Sequence, residues 1–536
     1  MDGLMMNYQL TLPPILERAG TLFKDTEIVS LLPGKVEHRY TYGEYYQRTR
    51  KFAQALQKLG MKKGDRVATL AWNHYRHLES YFGIICGGGV LHTLNLRLHP
   101  SDISYIAKDA GDKYVIVDDV LYELLEDVIK DYQFEKIIVI RHDDKPLPEG
   151  TLDYEELLAT ATDENWDYPE FSENDALGIC YTSGTTGRPK GVVYSHRGTV
   201  MHSFASCMVD CNAIANSDSI LSIVPLFHAN GWGIPFAALM VGAKYVFPGP
   251  FLDALTTLDL LDKEQITLAA GVPTIWSGIL GELTKNPGKW KLTPGCRAAC
   301  GGSAPPESLI LGLAEHGLRV MQAWGMTELS PLGTFGYLKH SLKSLPEKEQ
   351  VTYLTKQGLP LPYVECRVVS DEGVAPWDET TMGELQVRGP WVASGYMNGA
   401  DPDKWTSDGW FRTGDIAVID PEGYVKLTDR TKDVIKSGGE WISSVDLENA
   451  LVAHPDVREA AVIAIVHPKW DERPLAVIVP EDGKKPTKED LNEFIKDKFA
   501  KWWLPEAYTY VEEIPHTSTG KIQKLKLREM FKDWKW

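Results

Sequence analysis
Short apolar runs alternate with longer amphipathic stretches through most of the first half of this chain, and that alternation restricts the fold more than any other feature. Thr41 and Glu44 set a capping-box pattern ahead of a stretch whose apolar residues, Tyr45, Phe52, Leu56 and Leu59, recur at helical spacing until Gly60 stops it. A short apolar strand, 66–72, comes next. The pattern repeats with a helix from His74, the stop Gly87-Gly88-Gly89, a strand at 90–94, a helix opening at Ser101 and a strand at 114–117. Strand alternating with helix predicts an α/β protein with a largely parallel sheet covered on both faces.

The alternation resumes with strands near 219–224, 244–247, 267–270 and 297–300, which predicts a second wound sheet. Ligands bind such sheets at the carboxyl ends of strands. Three stretches occupy that position: Pro225-Leu226-Phe227-His228, Gly301-Gly302-Ser303-Ala304-Pro305-Pro306 and Trp324-Gly325-Met326-Thr327-Glu328. From about Glu365 the rhythm changes to short strands separated by Gly and Pro turns, which predicts a small β-rich lobe. The polar run Arg430-Thr431-Lys432-Asp433 then precedes a compact mixed α/β tail. The expected organisation is a large N-terminal domain over 1–429, a hinge linker over 430–435 and a smaller, mobile α+β domain over 436–536.

At 536 residues the chain is too long for one core. Its formal charge of −18 argues against a nucleic-acid partner and favours a cytoplasmic enzyme. The N-terminus, MDGLMMNYQL, does not read as a signal peptide. The longest apolar region, 220–242, is broken by two prolines, His228 and Asn230, so it predicts a buried strand and a pocket wall, with no membrane span. The seven cysteines have no CxxC spacing and read as free thiols in a reducing compartment.

Chemistry concentrates in 181–196, YTSGTTGRPKGVVYSH. Residues Thr182, Ser183, Gly184, Thr185, Thr186 and Gly187 allow a tight backbone whose amides form a positive nest, and Arg188 and Lys190 add charge. Such loops hold phosphate. The spacing is not that of a Walker loop, because Gly184 and Gly187 are two residues apart, Pro189 precedes Lys190 and Gly191 follows it. The loop is expected to join two strands, 177–181 and 192–194. A flexible surface loop is the plain alternative.

Together with GGSAPP, WGMTE, the Thr413-Gly414-Asp415 turn, DRTKDVIKSGGEWIS at 429–443 and TSTGK at 517–521, this loop resembles the motif set of the adenylate-forming acyl-CoA synthetases. That superfamily also contains luciferases and peptide-synthetase adenylation domains. The resemblance spans nearly the whole chain. It implies activation of a carboxylate by ATP and Mg²⁺ to an acyl-adenylate and pyrophosphate, then transfer of the acyl group to a thiol. By the family's pattern Thr182, Ser183, Gly184, Thr185, Thr186, Gly187 and Lys190 would hold the phosphates, and Glu328, with Thr185, would hold the metal. Thr327 would bind an α-phosphate oxygen. Gly302, Ser303, Ala304, Gly325 and Met326 would line the nucleotide, Trp324 would stack on adenine, and Asp415 would accept the ribose hydroxyls beside Arg430. A buried structural Asp–Arg pair is the competing reading. Lys521 would serve adenylation. Lys436 would serve thioester formation, with Gly438, Gly439 and Trp441 at the coenzyme A tunnel and Lys432 at the hinge.

His228, Trp232, Gly301 and Gly325 match the family's acyl pocket, and Trp232 matches the residue that gates the acyl tunnel in long-chain members. No aspartate is present there to pair with an α-amine, so an amino-acid substrate is not expected. No carrier domain follows Lys521, so the expected acceptor is coenzyme A. WGMTELSPLGT and GGEWISSVDLENAL resemble bacterial medium- and long-chain fatty acyl-CoA ligases and the branch acting on 3-methylmercaptopropionate. A medium- to long-chain fatty acid is the expected substrate, with a short thioether acid second and an aryl acid third. A non-catalytic acyl-binding protein and a peripheral membrane transport protein are the readings from other classes. The resemblance also implies a homodimer, with 7–19 as its candidate contact.

Overall fold
The computed structural model describes residues 1, 3–162, 164–182, 188–437, 440–516 and 521–536. Ser183, Gly184, Thr185, Thr186, Gly187, Gly438 and Gly439 therefore lie outside the described residues, as does most of the 517–521 motif.

Two large sheets carry the N-terminal part. In the first, the strands Leu152–Asp153, Lys136–Ile140, Tyr114–Asp118, Arg66–Leu70, Val90–Thr93 and Ala176–Tyr181 run parallel in that spatial order, and Gly191–Ser195 closes the edge antiparallel to Ala176–Tyr181. The glycine-rich loop thus joins paired strands. The capping box also forms: Thr41 Oγ1 accepts the Glu44 N–H at 3.3 Å, and the Glu44 carboxylate accepts the Thr41 N–H at 2.8 Å, which starts the helix Tyr42–Lys58.

The second sheet holds the parallel strands Cys296–Cys300, Leu268–Gly271, Ser219–Leu221 and Lys244–Phe247, with Leu318–Gly325 beyond Cys296–Cys300. Its other side recruits the hairpin Glu27–Leu32 and Val36–Thr41, which precedes every strand of the first sheet in the chain. Helices Tyr75–Cys86, His196–Cys207 and Ile234–Val241 contribute to one continuous apolar core with residues of both sheets, including Tyr81, Phe82, Phe236 and Tyr245.

The 220–242 stretch gives the expected buried strand and pocket wall, with Phe227, His228 and Trp232 lining the cavity, and adds the helix Ile234–Val241, ended by Gly242 at φ +72°. The 7–19 segment becomes partly the helix Pro13–Leu22, and Leu12, Ile15, Leu16 and Ala19 are buried in the chain's own core. Its apolar face is already covered, which weakens it as a subunit contact.

Antiparallel strands Glu365–Ser370, Gly383–Arg388, Phe411–Ile419 and Val425–Arg430 form the small β lobe. Residues 431–434 then lead into a separate sheet of Ile435–Ser437, Glu440–Ile442, Val457–His467, Asp471–Pro480 and Ala507–Tyr510, flanked by Ser444–Val452, Lys488–Ile495 and Lys524–Met530. The chain is therefore a large α/β domain of two wound sheets plus a β lobe, followed by a smaller α+β domain. All seven cysteines are free. Among the described residues no helix is long and apolar enough to cross a membrane.

Candidate active site
A single cavity lies where the two large sheets, the β lobe and the C-terminal sheet meet, and it collects residues from distant parts of the sequence. Thr182, Arg188 and Lys190 reach it from the ends of the glycine-rich loop, and His228 and Trp232 from the turn after Ser219–Leu221. Gly301, Gly302, Gly325, Met326, Thr327 and Glu328 follow strands of the second sheet, and Arg430, Lys432 and Lys521 close the C-terminal side. This is the strand-end position at which wound sheets bind ligands.

The neck of the loop is fastened by two hydrogen bonds, Thr182 N–H to Lys190 O at 3.0 Å and Lys190 N–H to Thr182 Oγ1 at 3.2 Å. The Lys190 ammonium pairs with Asp401 and lies 5.4 Å from the centre of the Tyr396 ring. The Tyr396 hydroxyl in turn donates to Glu328 Oε1 at 2.5 Å. Glu328 is 4% exposed and its backbone carbonyl accepts the Ala393 N–H, so its carboxylate is held at the cavity wall. A hard divalent cation takes oxygen ligands and is bound by one or two carboxylates together with substrate phosphates. A buried carboxylate beside a phosphate-type loop fits that requirement.

Lys521 enters from the C-terminal sheet, and its Cε would lie 3.8 Å from a Cβ placed on Gly302. That is ordinary van der Waals contact; the position favours glycine because its φ is +90° and a Cβ would press on Val272 Cγ1 at 3.1 Å. Burial pushes the Lys521 ammonium down to about 8, and Arg430 pushes in the same direction, against the pull of Asp415 and Glu328. His228 is lowered to about 4 by burial, then by Lys521 and Arg97, so its imidazole is neutral at pH 7.

Trp232 stands over Gly301: its ring would come within 3.0 Å of a Cβ at that position. It is held there by an unusual backbone. Ala229, Asn230, Gly231, Trp232 and Gly233 all have φ between +42° and +71°, a left-handed turn. Each of the three residues that carry a Cβ costs roughly 1–2 kcal/mol in that region, Asn least.

Trp324 and Asp415 are bonded to each other. Trp324 lies between the lining residues Ala323 and Gly325, is 6% exposed, and sits where the register of its strand shifts, between Trp324 and Gly325. Its ring packs with Leu329, Val368, Leu385 and Phe411 in the β-lobe core. Its indole N–H donates to Asp415 Oδ2 at 3.0 Å, while Arg430 Nε meets Asp415 Oδ1 at 2.7 Å. Asp415 is thus a buried, doubly held carboxylate that raises the Arg430 pKa, and the lining residues beside it are Thr413 and Gly414. Ser303 and Ala304 are not among the lining residues either. Lys436 and Trp441 lie apart from the cavity: Lys436 is exposed, its N–H donates to Glu472 Oε2 at 2.8 Å, and its ammonium is 6.0 Å from the Trp441 ring.

Sequence reasoning missed Tyr396, Asp401 and Asn230. Tyr396 is 68 residues from Glu328 and Asp401 is 211 from Lys190, so no local spacing could have shown either contact. Among the described residues one other cluster, His74, Asp118 and His142, has a metal-like composition. There His74 Nδ1 accepts the His77 N–H, so its proton is on Nε2, which donates to Asp118 at 2.8 Å. His142 Nε2 meets the same carboxylate oxygen at 3.1 Å, and His142 Nδ1 is buried without a hydrogen-bond partner.

Comparison with known proteins agrees with this geometry. The model of the AMP-binding enzyme family matches residues 16–397, and that of the AMP-binding enzyme C-terminal domain matches 446–521. The long-chain-fatty-acid–CoA ligase of Thermus thermophilus is 49% identical over 534 residues, covering 99% of this chain and 97% of that protein. The 3-methylmercaptopropionyl-CoA ligase of Ruegeria lacuscaerulensis is 43% identical over 540 residues, covering 99% of each. The crystal structure of an anthranilate CoA ligase in complex with anthranoyl-AMP superposes with a TM-score of 0.85 at 24% identity, over 98% of both chains, and so shares the fold. With both domain models matched and full-length relatives at this identity, the chain belongs to the AMP-binding enzyme family.

Proposed function
We propose that the protein is an AMP-forming acyl-CoA ligase. It joins a carboxylic acid to coenzyme A at the expense of ATP in two steps. The acid's carboxylate attacks the α-phosphorus, the bond to pyrophosphate breaks, and an acyl-adenylate forms. The thiolate of coenzyme A then attacks the acyl carbonyl and AMP leaves. The observation that carries this reading is Lys521, delivered by the C-terminal domain into the same cavity as Lys190, Glu328 and Arg430.

The residues fit the electrostatics of the first step. Two anions, carboxylate and triphosphate, must be brought in line, and preorganised positive groups lower that barrier. Lys190 and the glycine-rich loop hold the β- and γ-phosphates, so Lys190 exchanges Asp401 for phosphate when ATP binds. Thr327 contacts the α-phosphate. Glu328 holds Mg²⁺, which when bound neutralises phosphate charge, and Tyr396 fixes the orientation of that carboxylate. Lys521, charged below about pH 8, bridges the acid's carboxylate and the α-phosphate. Arg430 and Asp415 sit at the nucleoside end. Neutral His228 borders the reacting carboxylate without adding charge, and Trp232 against Gly301 borders the acyl chain.

For the second step the C-terminal domain turns about Lys432. That withdraws Lys521 and presents Lys436, Trp441 and residues 438–439 to coenzyme A. A medium- to long-chain fatty acid is the substrate, a reading supported by the long-chain relative and by the apolar lining at Leu94, Leu98, Ile106 and Phe227. A short thioether acid is the second reading, supported by the Ruegeria relative. A cytoplasmic homodimer completes the proposal; free cysteines fit a reducing compartment.

Pyrophosphate release measured with acids from acetate to stearate, with 3-methylmercaptopropionate and cinnamate included, tests this. Release that depends on a carboxylic acid and peaks at one chain length is the expected result. No acid-dependent release would defeat the ligase reading, and a flat profile would defeat the shaped acyl pocket.

A further inference from the structure
Trp232 owes its place to a turn whose own backbone preferences oppose it, so something outside the turn must hold it. The left-handed run 229–233 has glycine at only two of its five positions. At its far end His202 packs on Gly233, where a Cβ would come within 2.6 Å of the imidazole. At its centre Asn230 turns inward, away from the cavity, and is 2% exposed. Its side-chain carbonyl accepts from Thr93 Oγ1 at 3.2 Å and from Cys180 Sγ at 3.1 Å. Those donors belong to Val90–Thr93 and Ala176–Tyr181, adjacent parallel strands of the first sheet. The amide therefore ties a turn of the second sheet to two strands of the first. Gly178 makes room for it, since a Cβ there would lie 2.9 Å from the Asn230 amide nitrogen.

We infer that Asn230 is a positioning residue for acyl-chain selection. By pinning the left-handed turn to Thr93 and Cys180 it keeps the Trp232 ring on Gly301, and this sets where the acyl branch of the cavity ends. It touches no substrate. Asparagine serves both needs at once, because it tolerates φ > 0 and carries an acceptor of the right length. The inference rests on the reading of Trp232 as a wall of the acyl pocket.

The test compares four variants of the full-length enzyme by kcat/KM across fatty acids and by KM for ATP. Asn230→Gly keeps the backbone freedom and removes the tether. Cys180→Ala removes one donor, and Cys180→Ser restores it. Trp232→Ala reports on the wall itself. Asn230→Gly is expected to raise the ratio of kcat/KM for dodecanoate over hexanoate by about tenfold, on the scale at which apolar pockets discriminate methylenes, with KM for ATP unchanged. Cys180→Ala should shift the ratio in the same direction and Cys180→Ser should return it. An equal loss for all acids in Asn230→Gly, with the ratio unmoved, would overturn the inference and leave Asn230 a packing residue. Should Asn230→Gly fail to fold, the Cys180 pair decides: an alanine variant with the ratio of the serine variant overturns it. An unchanged ratio in Trp232→Ala would instead defeat the acyl-pocket reading on which the inference stands.

Discussion

Lys521 and Lys436 are carried by the same small domain, 85 positions apart, and stand in opposite surroundings. Lys521 is pressed into the cavity among Arg430, Asp415 and Glu328, and burial takes its ammonium down to about 8. Lys436 is exposed beside Trp441 and Glu472, on the strand Ile435–Ser437. A lysine aimed into a cavity and desolvated there is prepared to act on an anion; one left in water is not. Under the proposed function this arrangement serves the first half-reaction, and Lys436 would have to travel to act in the second.

The contrast is most exposed at Lys521. Lys521→Ala is expected to slow pyrophosphate release by about 10²–10³, the usual effect of deleting a charge-stabilising donor, while leaving the conversion of preformed acyl-adenylate to thioester intact. Equal losses in both half-reactions would break the comparison. Lys436→Ala should do the reverse, with pyrophosphate release unchanged and thioester formation slowed by about ten- to a hundredfold, the size expected when a positioning contact is lost.

The same contrast predicts a pH dependence. A lysine lowered to about 8 is charged below that pH and neutral above it. If the charged form bridges carboxylate and phosphate, kcat/KM for ATP in the first half-reaction falls above about pH 8, approaching about tenfold per pH unit. The fall should be missing in Lys521→Ala. A wild-type profile flat to pH 10 would remove Lys521 from the charged step.

How much of this could be read beforehand depended on how local the cause was. The helix Tyr42–Lys58 announced itself through Thr41 and Glu44, which bond to each other three residues apart. The loop between Ala176–Tyr181 and Gly191–Ser195 was legible because both strands flank it in sequence. The hairpin Glu27–Thr41 was not, because its partner Lys244–Phe247 lies far along the chain and long-range pairing leaves no local period. The site divides the same way. Glu328, Lys190 and Lys521 sit in motifs, but the partners Tyr396 and Asp401 were invisible. The motif showed Trp324 as a site residue, but its hydrogen bond to Asp415, 91 positions away, had no local sign. The turn at 229–233 was hidden for another reason: two of its glycines hint at φ > 0, but Ala229 and Trp232 argue against it locally, and tertiary tethers decide.

The smallest effect concerns what keeps Lys521 in place. Across residues 431–434, Ser444 of the C-terminal domain donates its N–H and Oγ–H to Asp429 Oδ2, at 2.8 and 2.5 Å, and its Oγ accepts from Lys524. Lys524 also meets Glu448 at 2.8 Å, and Arg528 meets Asp433 at 2.7 Å. The Ser444 bonds tie the domain to the strand Val425–Arg430 and Arg528 ties it to the linker at Asp433, in the orientation that delivers Lys521, while the Lys524 contacts lie within the domain. Ser444→Ala removes one hydrogen bond to a carboxylate and keeps the backbone one. With a net value near 1 kcal/mol for such a bond, the orientation should lose about fivefold in relative population. Pyrophosphate release should slow by no more than that factor, and thioester formation from preformed adenylate should hold or rise. A loss of the same size in both half-reactions would mean that Asp429 and Ser444 stabilise the domain as such, and that the opposition between Lys521 and Lys436 is maintained by something else.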